Sequence, residues 1–240
     1  MIRTAWVALH LLSSTLVFGS LAVLGALFRA RGEAFFRMTQ SWARWVLWSS
    51  GCRVDTEGLA HVALDRPQVI ASNHVSWFDV LAIAAVLPKR FRFIAKKELA
   101  SVPLFGRAWQ AAGHIAIDRR DPQAAVAALG EAGRLMRADH SVVVIFPEGT
   151  RSADGALLPF KKGAFMLAVV TGVEVVPTAV VGSREVLPRG RWRVRKRGIT
   201  VRFAPPVPAH GYDERNRDEL IARVRSDVAE LLERPALPKP

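Results

Sequence analysis

The run Ser141-Val142-Val143-Val144-Ile145-Phe146 constrains this chain more than any other stretch. It is almost wholly apolar and rich in β-branched residues, so it has no polar face to turn toward water. It reads as a strand buried on both faces, which requires covering layers of helix. Other segments alternate to suit. Val69–Ala71, Phe91–Ala95, His114–Ile117 and Val173–Val181, the last interrupted at Pro177, read as strands. Between them fall an apolar helix opening at Val80, a helix over Val102–Ala112 with Ser101 as cap and Pro103 in its first turn, a helix from the N-cap Asp121 to Arg137, and a helix over Gly163–Thr171 closed by Gly172. Asp213–Leu232 is amphipathic, with Leu220, Ile221, Val224, Val228 and Leu231 on one face. The expected class is α/β: a mainly parallel mixed sheet with covering helices, preceded by an N-terminal membrane-associated two-helix segment.

That N-terminal segment is set apart by composition. Ala5–Phe28 contains no acidic or basic residue and approaches the roughly 20 residues that span a bilayer. Arg3 precedes it, and Arg29 and Arg31 follow. A signal peptide is the competing reading, but the run is long for one and shows no persuasive small-x-small cleavage site. If the segment spans, the excess of arginine on its C-terminal side places the main domain at the cytoplasmic face of the inner (plasma) membrane. Glu33–Gly51 follows, with Trp42, Trp45 and Trp48 spaced along one helical face and Arg37 and Arg44 interleaved. This suits a bilayer interface, or a helix packed on the domain with its indoles inside. The two helices either cross the membrane or form a hairpin dipping into one leaflet. The organisation expected is a membrane-associated helical segment at 1–51, a globular domain at 52–234 and a disordered tail at 235–240.

Charge narrows the partners. The 240 residues carry a formal net charge of +13, which favours anionic surfaces or phosphorylated substrates. Arg184–Arg202 is the most basic region, with eight Lys or Arg and one Glu. There Trp192–Arg195 and Ile199–Phe203 read as the two strands of an exposed hairpin, either merely solvated or meeting acidic headgroups. No zinc-finger, helix-turn-helix or RNA-binding signature accompanies the charge, so nucleic acid is not the expected partner. The lone cysteine, Cys52, excludes an internal disulfide and a cysteine-based zinc site of the usual composition.

Chemistry-bearing residues collect at strand ends. His74 stands where the strand Val69–Ala71 gives way to a helix, and Asp79 falls in that helix's first turn. A neutral imidazole can take a proton from a hydroxyl, and a carboxylate on its other nitrogen holds the tautomer and stabilises the imidazolium. The same residues also spell a capping box, Ser76-x-x-Asp79, in which Asp79 only satisfies helix N–H groups. Pro147-Glu148-Gly149-Thr150-Arg151-Ser152 ends the valine-rich strand, and Arg119-Arg120 follows the strand at Ile115–Ile117. In a parallel sheet these ends meet on one edge, bringing a base beside anion grips.

Four blocks taken together resemble the glycerolipid acyltransferases typified by 1-acyl-sn-glycerol-3-phosphate acyltransferase. Asn73-His74-Val75-Ser76-Trp77-Phe78-Asp79 is similar to the family's Asn-His-x4-Asp block. Lys96-Lys97-Glu98-Leu99, Pro103, Phe105-Gly106 and Gly113–Arg119 resemble the second, with Ala116 where an aromatic residue is common. Phe146–Ser152 resembles the third and Val176–Val180 the fourth. The resemblance implies transfer of a fatty acyl group from acyl-CoA or acyl-ACP, as co-substrate, to the hydroxyl of a lysophospholipid. It needs no metal and no other cofactor. It further implies His74 as general base, Asp79 as its orienting partner, and Arg119, Arg151 and Lys97 as phosphate contacts. Glu148, Gly149, Thr150 and Asn73 would complete the acceptor site. The anionic membrane surface is then the source of the acceptor. Related acceptors, lyso-ornithine lipid and lysophosphatidylethanolamine, keep the chemistry. A hydrolase using Ser76 or Ser183, which lack a Gly-x-Ser-x-Gly setting, and a non-enzymatic basic membrane-binding module are the rivals.

Overall fold

The computed structural model describes residues 1–27, 32–118 and 120–235. Its centre is the valine run. Strand β5 (Val142–Ile145) is buried throughout and lies between β2 (Gln68–Ser72) and β3 (Phe91–Lys96). With β1 (Val54–Glu57), β4 (Ile115–Ile117), β6 (Val175–Val181) and β7 (Ile199–Phe203) they form a seven-stranded sheet in the order β1-β7-β6-β2-β5-β3-β4. Every neighbouring pair is parallel except β6 with β7.

Period-two alternation sends the side chains into two cores. Val142 and Val144 join one cluster with residues of α2 (Glu33–Ser50) and α3 (Trp77–Val86). Val143 and Ile145 join the other, with residues of α5 (Pro122–Asp139), α6 (Lys162–Thr171) and α8 (Arg217–Glu233). Each such side chain contributes roughly 1.5–3 kcal/mol by leaving water, so both faces hold the strand in place. The expected helix signals operate. Asp121 accepts from the Ala124 N–H at 3.0 Å, Gly172 closes α6 in the left-handed region, and the five apolar residues predicted for α8 are its buried ones.

Local differences from the sequence reading have physical causes. A 3₁₀ turn occupies Lys97–Ser101, and α4 starts only at Phe105, running to Ala111. Val102 precedes a proline and is extended, and Leu104 adopts a φ of 59°, so a helix cannot begin at 102. Strand β6 runs through Pro177 without interruption. Val175 bridges Val207 while the β7 ladder begins at Thr178–Phe203, so the proline sits where the partner changes. The expected hairpin does not form. Residues 191–198 are irregular, and β7 is already flanked by β6 and by β1, leaving Trp192–Arg195 no edge to pair with. The three tryptophans of α2 are also split. Steps of three residues drift about 60° around a helix. Trp42 therefore packs against Phe105 at the core, while Trp45 and Trp48 are 46% and 65% exposed.

Helix α1 (Ile2–Leu27) lies along the domain, against α2 and α4. Near its start the Thr4 hydroxyl accepts from the Val194 N–H at 3.2 Å, and Arg3 donates to the Ser50 carbonyl. Fifteen residues later, about 22 Å along the axis, Gly19 packs under Leu104, where a Cβ would stand 3.0 Å from the leucine Cγ. Its opposite side exposes Ile2, Trp6, Leu9, Leu12, Leu16 and Leu24. Arg29 and Arg31, and the tail beyond Pro235, lie outside the described residues.

Candidate active site

Strand register aligns the site. Ala71 faces Ile145, Val144 faces Phe93, and Lys96 faces Ile117. Counting outward from these pairs, His74, Glu148, Lys97 and Asp118 leave four adjacent parallel strands at one height. At about 4.8 Å per strand the row is about 14 Å long.

The loops after β2 and β5 are joined directly. The Ser152 N–H donates to the His74 carbonyl at 2.8 Å, and the His74 N–H donates to Glu148 Oε1 at 2.6 Å. Glu148 Oε2 accepts from the Leu158 N–H at 3.0 Å. Both carboxylate oxygens are therefore turned to backbone. Burial pushes the Glu148 carboxyl up to about 7, against the pull of those two N–H groups, with Asp79 adding to the rise. Asn73 is likewise turned inward. Its Oδ1 accepts from the Val180 N–H at 2.8 Å and its Nδ2 donates to the Val180 carbonyl at 3.1 Å, tying the end of β2 to β6. These two side chains hold the loops in place, with their polar atoms directed at the scaffold.

His74 is positioned on three sides. Its ring stacks on Phe146 with centroids 4.1 Å apart, its backbone is held as described, and Nδ1 lies 2.9 Å from Asp79 Oδ2. That same oxygen accepts the N–H groups of Val75 at 2.7 Å and Ser76 at 2.8 Å. The Ser76 hydroxyl accepts from Phe78 N, completing the capping box at the start of α3. Capping and orientation, alternatives in the sequence, are thus two duties of one buried carboxylate. With an Nδ1–H donor to Asp79, Nε2 is left as the acceptor, and no described residue bonds to it. The imidazole side chain is 14% exposed, enough to reach a ligand.

Asp79 Oδ1 takes a further bond, from the hydroxyl of Ser183. Ser183 is fully buried at the start of a short helix, α7 (Ser183–Val186), which follows β6. The sequence offered no sign of this pairing across 104 residues, beyond the position of Ser183 just past a strand end. Both serines weighed as hydrolase nucleophiles are committed to the scaffold, since Ser76 donates to the Leu187 carbonyl.

Gly149, Thr150 and Arg151 form the turn beyond Glu148, where Gly149 has a φ of 71°. The Arg151 guanidinium sits 4.8 Å from the ring centroid of Trp77, an exposed residue at the first position of α3. Burial, and the neighbouring Arg189, lower the Arg151 pKa from its ordinary value, with Asp79 acting the other way. Arg189 donates to the Arg151 carbonyl. Among the described residues neither arginine has an acidic partner, so the pair presents net positive charge beside the imidazole. Lys97 stands farther along the row, in an ion pair with Asp118. Arg119, next to Asp118, lies outside the described residues. The other histidine of the second block, His114, is structural. It is buried, its Nδ1 accepts from the Phe93 N–H, and burial pushes it down to about 3. Among the described residues no three His, Cys, Asp or Glu side chains gather as a metal set.

The arrangement can abstract a proton at Nε2 beside a turn that carries the Arg151 guanidinium. Comparison with other proteins agrees in kind. Residues 53–181 match the protein family described as Acyltransferase. A 1-acyl-sn-glycerol-3-phosphate acyltransferase of Limnanthes alba is 34% identical over 195 residues, covering 81% of this chain and 68% of that protein. The 1-acyl-sn-glycerol-3-phosphate acyltransferase alpha of Homo sapiens is 36% identical over 178 residues, 74% of this chain and 63% of that protein. The crystal structure of the 1-acyl-sn-glycerophosphate (LPA) acyltransferase PlsC from Thermotoga maritima matches with a TM-score of 0.79 and 26% identity, covering 98% of both chains.

Proposed function

The chain belongs to the acyltransferase family of the 1-acyl-sn-glycerol-3-phosphate acyltransferases, and on that footing we propose that His74 is the base that activates the acceptor hydroxyl. The reaction is transfer of a fatty acyl group to 1-acylglycerol-3-phosphate, forming phosphatidic acid. The observation that carries the assignment of roles is the 2.9 Å contact between His74 Nδ1 and Asp79 Oδ2.

Nε2 takes the proton of the free glycerol hydroxyl as its oxygen attacks the thioester carbonyl. Asp79 balances the imidazolium that forms. The tetrahedral intermediate then expels the thiolate, which takes the proton back from Nε2, so the histidine is regenerated without a covalent enzyme intermediate. Arg151 grips the acceptor phosphate with its fork, held in orientation by Trp77. Lys97, once released from Asp118, and Arg119, the next residue in the sequence, are the further candidates for phosphate contact. The donor is acyl-CoA or acyl-ACP, and the step as written uses no metal or bound cofactor.

The protein is membrane-associated. The contacts of α1 with the domain at both Thr4 and Gly19 favour a helix lying in one leaflet over one that crosses. The acceptor reaches the site from an anionic membrane surface, with the domain on the cytoplasmic face. The test is phosphatidic acid formation from lysophosphatidic acid and each thioester carrier, wild type against His74→Ala. Loss of roughly two or more orders of magnitude in the variant supports the assignment. Undiminished turnover by a folded His74→Ala protein refutes it.

A further inference from the structure

Outside the catalytic row, unpaired charge among the described residues is concentrated in the irregular segment between α7 and β7. Arg189, Arg191, Arg193, Arg195, Lys196 and Arg197 fall within nine residues, with no acidic residue among them. All six are exposed, and among the described residues none forms a salt bridge. Like charges at this density repel one another, and a surface-exposed cluster left without counter-charges is relieved by an external anion.

The segment is nonetheless anchored. Val194 is buried in the core beneath α1, and its N–H donates to the Thr4 hydroxyl. The Arg195 N–H donates to the Val186 carbonyl at 2.9 Å. Lys196 packs at the C-terminal end of α2, where a Cβ on Gly51 would stand 3.4 Å from its side chain. The cations are therefore held at one particular end of the α1–α2 hairpin. That end carries its indoles. Trp6, Trp45 and Trp48 gather around His10, all three exposed, and Trp192 within the segment is 65% exposed. Exposed indoles beside guanidinium groups, next to a helix with a bare apolar side, match the headgroup layer of a bilayer, where aromatic rings and cations partition together. An acidic protein partner would use the charges and leave the four indoles without a role.

We propose that the Arg189–Arg197 strap is a lipid-contact element that binds anionic phospholipid headgroups beside the tryptophan end of the hairpin. The inference rests on the membrane-associated reading above and adds to it a specific surface and a lipid class. It also has a consequence for the site, because Arg189 bonds to the carbonyl of Arg151. A strap seated on headgroups holds the phosphate-gripping turn close to the layer in which the anionic acceptor is dissolved.

The test is partition of the full-length protein between buffer and vesicles of phosphatidylcholine, with and without phosphatidylglycerol, at low salt. The variant is Arg191→Gln/Arg193→Gln/Arg197→Gln, three exposed positions outside the catalytic row. Wild type should bind the anionic vesicles more tightly than the neutral ones. The variant should lose about 100-fold of the anionic affinity, at about one factor of five per charge, while its neutral binding and thermal melting stay unchanged. Added salt should remove the same increment from wild type. Binding to neutral vesicles reports the hairpin alone, so a protein that binds only anionic vesicles, and only through the strap, overturns the hairpin reading and supports this one. Equal anionic preference in variant and wild type overturns the proposal. So does a variant that partitions normally but loses activity with acyl-ACP and keeps it with acyl-CoA, since the strap then serves an acidic protein.

Discussion

Replacing Asp79 with Asn separates the two duties of that carboxylate. Oδ2 faces three donors, so the new amide must turn its oxygen there and its NH₂ toward Ser183, whose hydroxyl can rotate to accept. The cap therefore survives, and only the charge is lost. Hydrogen bonds to a charged group contribute about 1.5–3 kcal/mol against about 0.5–1.5 for neutral ones, and this loss is offset by no longer burying an ion. The melting temperature should move by only a few degrees. Turnover should respond differently. In the transition state Nε2 has gained a proton, and the imidazolium loses a counter-charge 2.9 Å away. At an effective dielectric of about 20 that attraction is about 6 kcal/mol, or roughly four decades in rate. The assay is kcat for phosphatidic acid formation at saturating lysophosphatidic acid and thioester, alongside a thermal melt. A folded Asp79→Asn protein retaining more than about a tenth of kcat would mean the carboxylate serves only the helix. Because the two residues act as one unit, adding Asp79→Asn to His74→Ala should lower activity little further, and multiplicative losses would contradict that.

Three other outcomes follow from the same geometry. Ser183→Ala leaves Asp79 Oδ1 without its hydroxyl donor in a buried site, and should lower stability by about 1.5–3 kcal/mol and reduce kcat; an unchanged denaturation midpoint would show that the bond carries no weight. Arg151→Lys keeps the charge but loses the fork and the face-on contact with Trp77, so KM for lysophosphatidic acid should rise by about tenfold with kcat nearly constant, and a fall in kcat alone would place Arg151 in the chemical step. Glu148 has a folded-state pKa raised from 4.5 to about 7. The folded state thus binds the proton more tightly than the unfolded one. Its contribution is fully present below about pH 4.5, lost as pH rises through about 7, and constant above; the span is up to about 3 kcal/mol. Melting temperatures between pH 5 and 7 should fall more steeply for wild type than for Glu148→Gln, and parallel curves would refute the assignment.

The parts of the fold legible in the sequence are those whose signal is local. The valine run, the Asp121 cap and the Gly172 stop each act within a few residues, and each operates as read. Strand β1 carries no clear sequence signal, because Val54-Asp55-Thr56-Glu57 is short, half-exposed and doubly charged. Alternation at Trp192–Arg195 suggests a hairpin but cannot reveal that β1 already occupies the free edge of β7. At the site, the spacing from His74 to Asp79 was legible because both stand at one strand-to-helix junction. The bonds of Asn73 to Val180 and of Ser183 to Asp79 link positions more than a hundred residues apart and leave no periodic trace. Glu148 is an acceptor-site residue only by what the family resemblance implies, and the direction of its two oxygens is not visible from sequence.

Residues that perform chemistry commonly weaken the protein that carries them, so that replacing them raises stability at the expense of activity. The oxygen of Asp79 that holds the imidazole also closes the first turn of α3, so this site escapes that conflict. A population of variants selected only for resistance to heat should keep a capping oxygen at position 79, as Asp or Asn, without ever being asked to make lipid. Loss of the side-chain oxygen is opposed by the helix and loss of its charge by the chemistry, so the carboxylate should outlast changes in acceptor, donor and membrane.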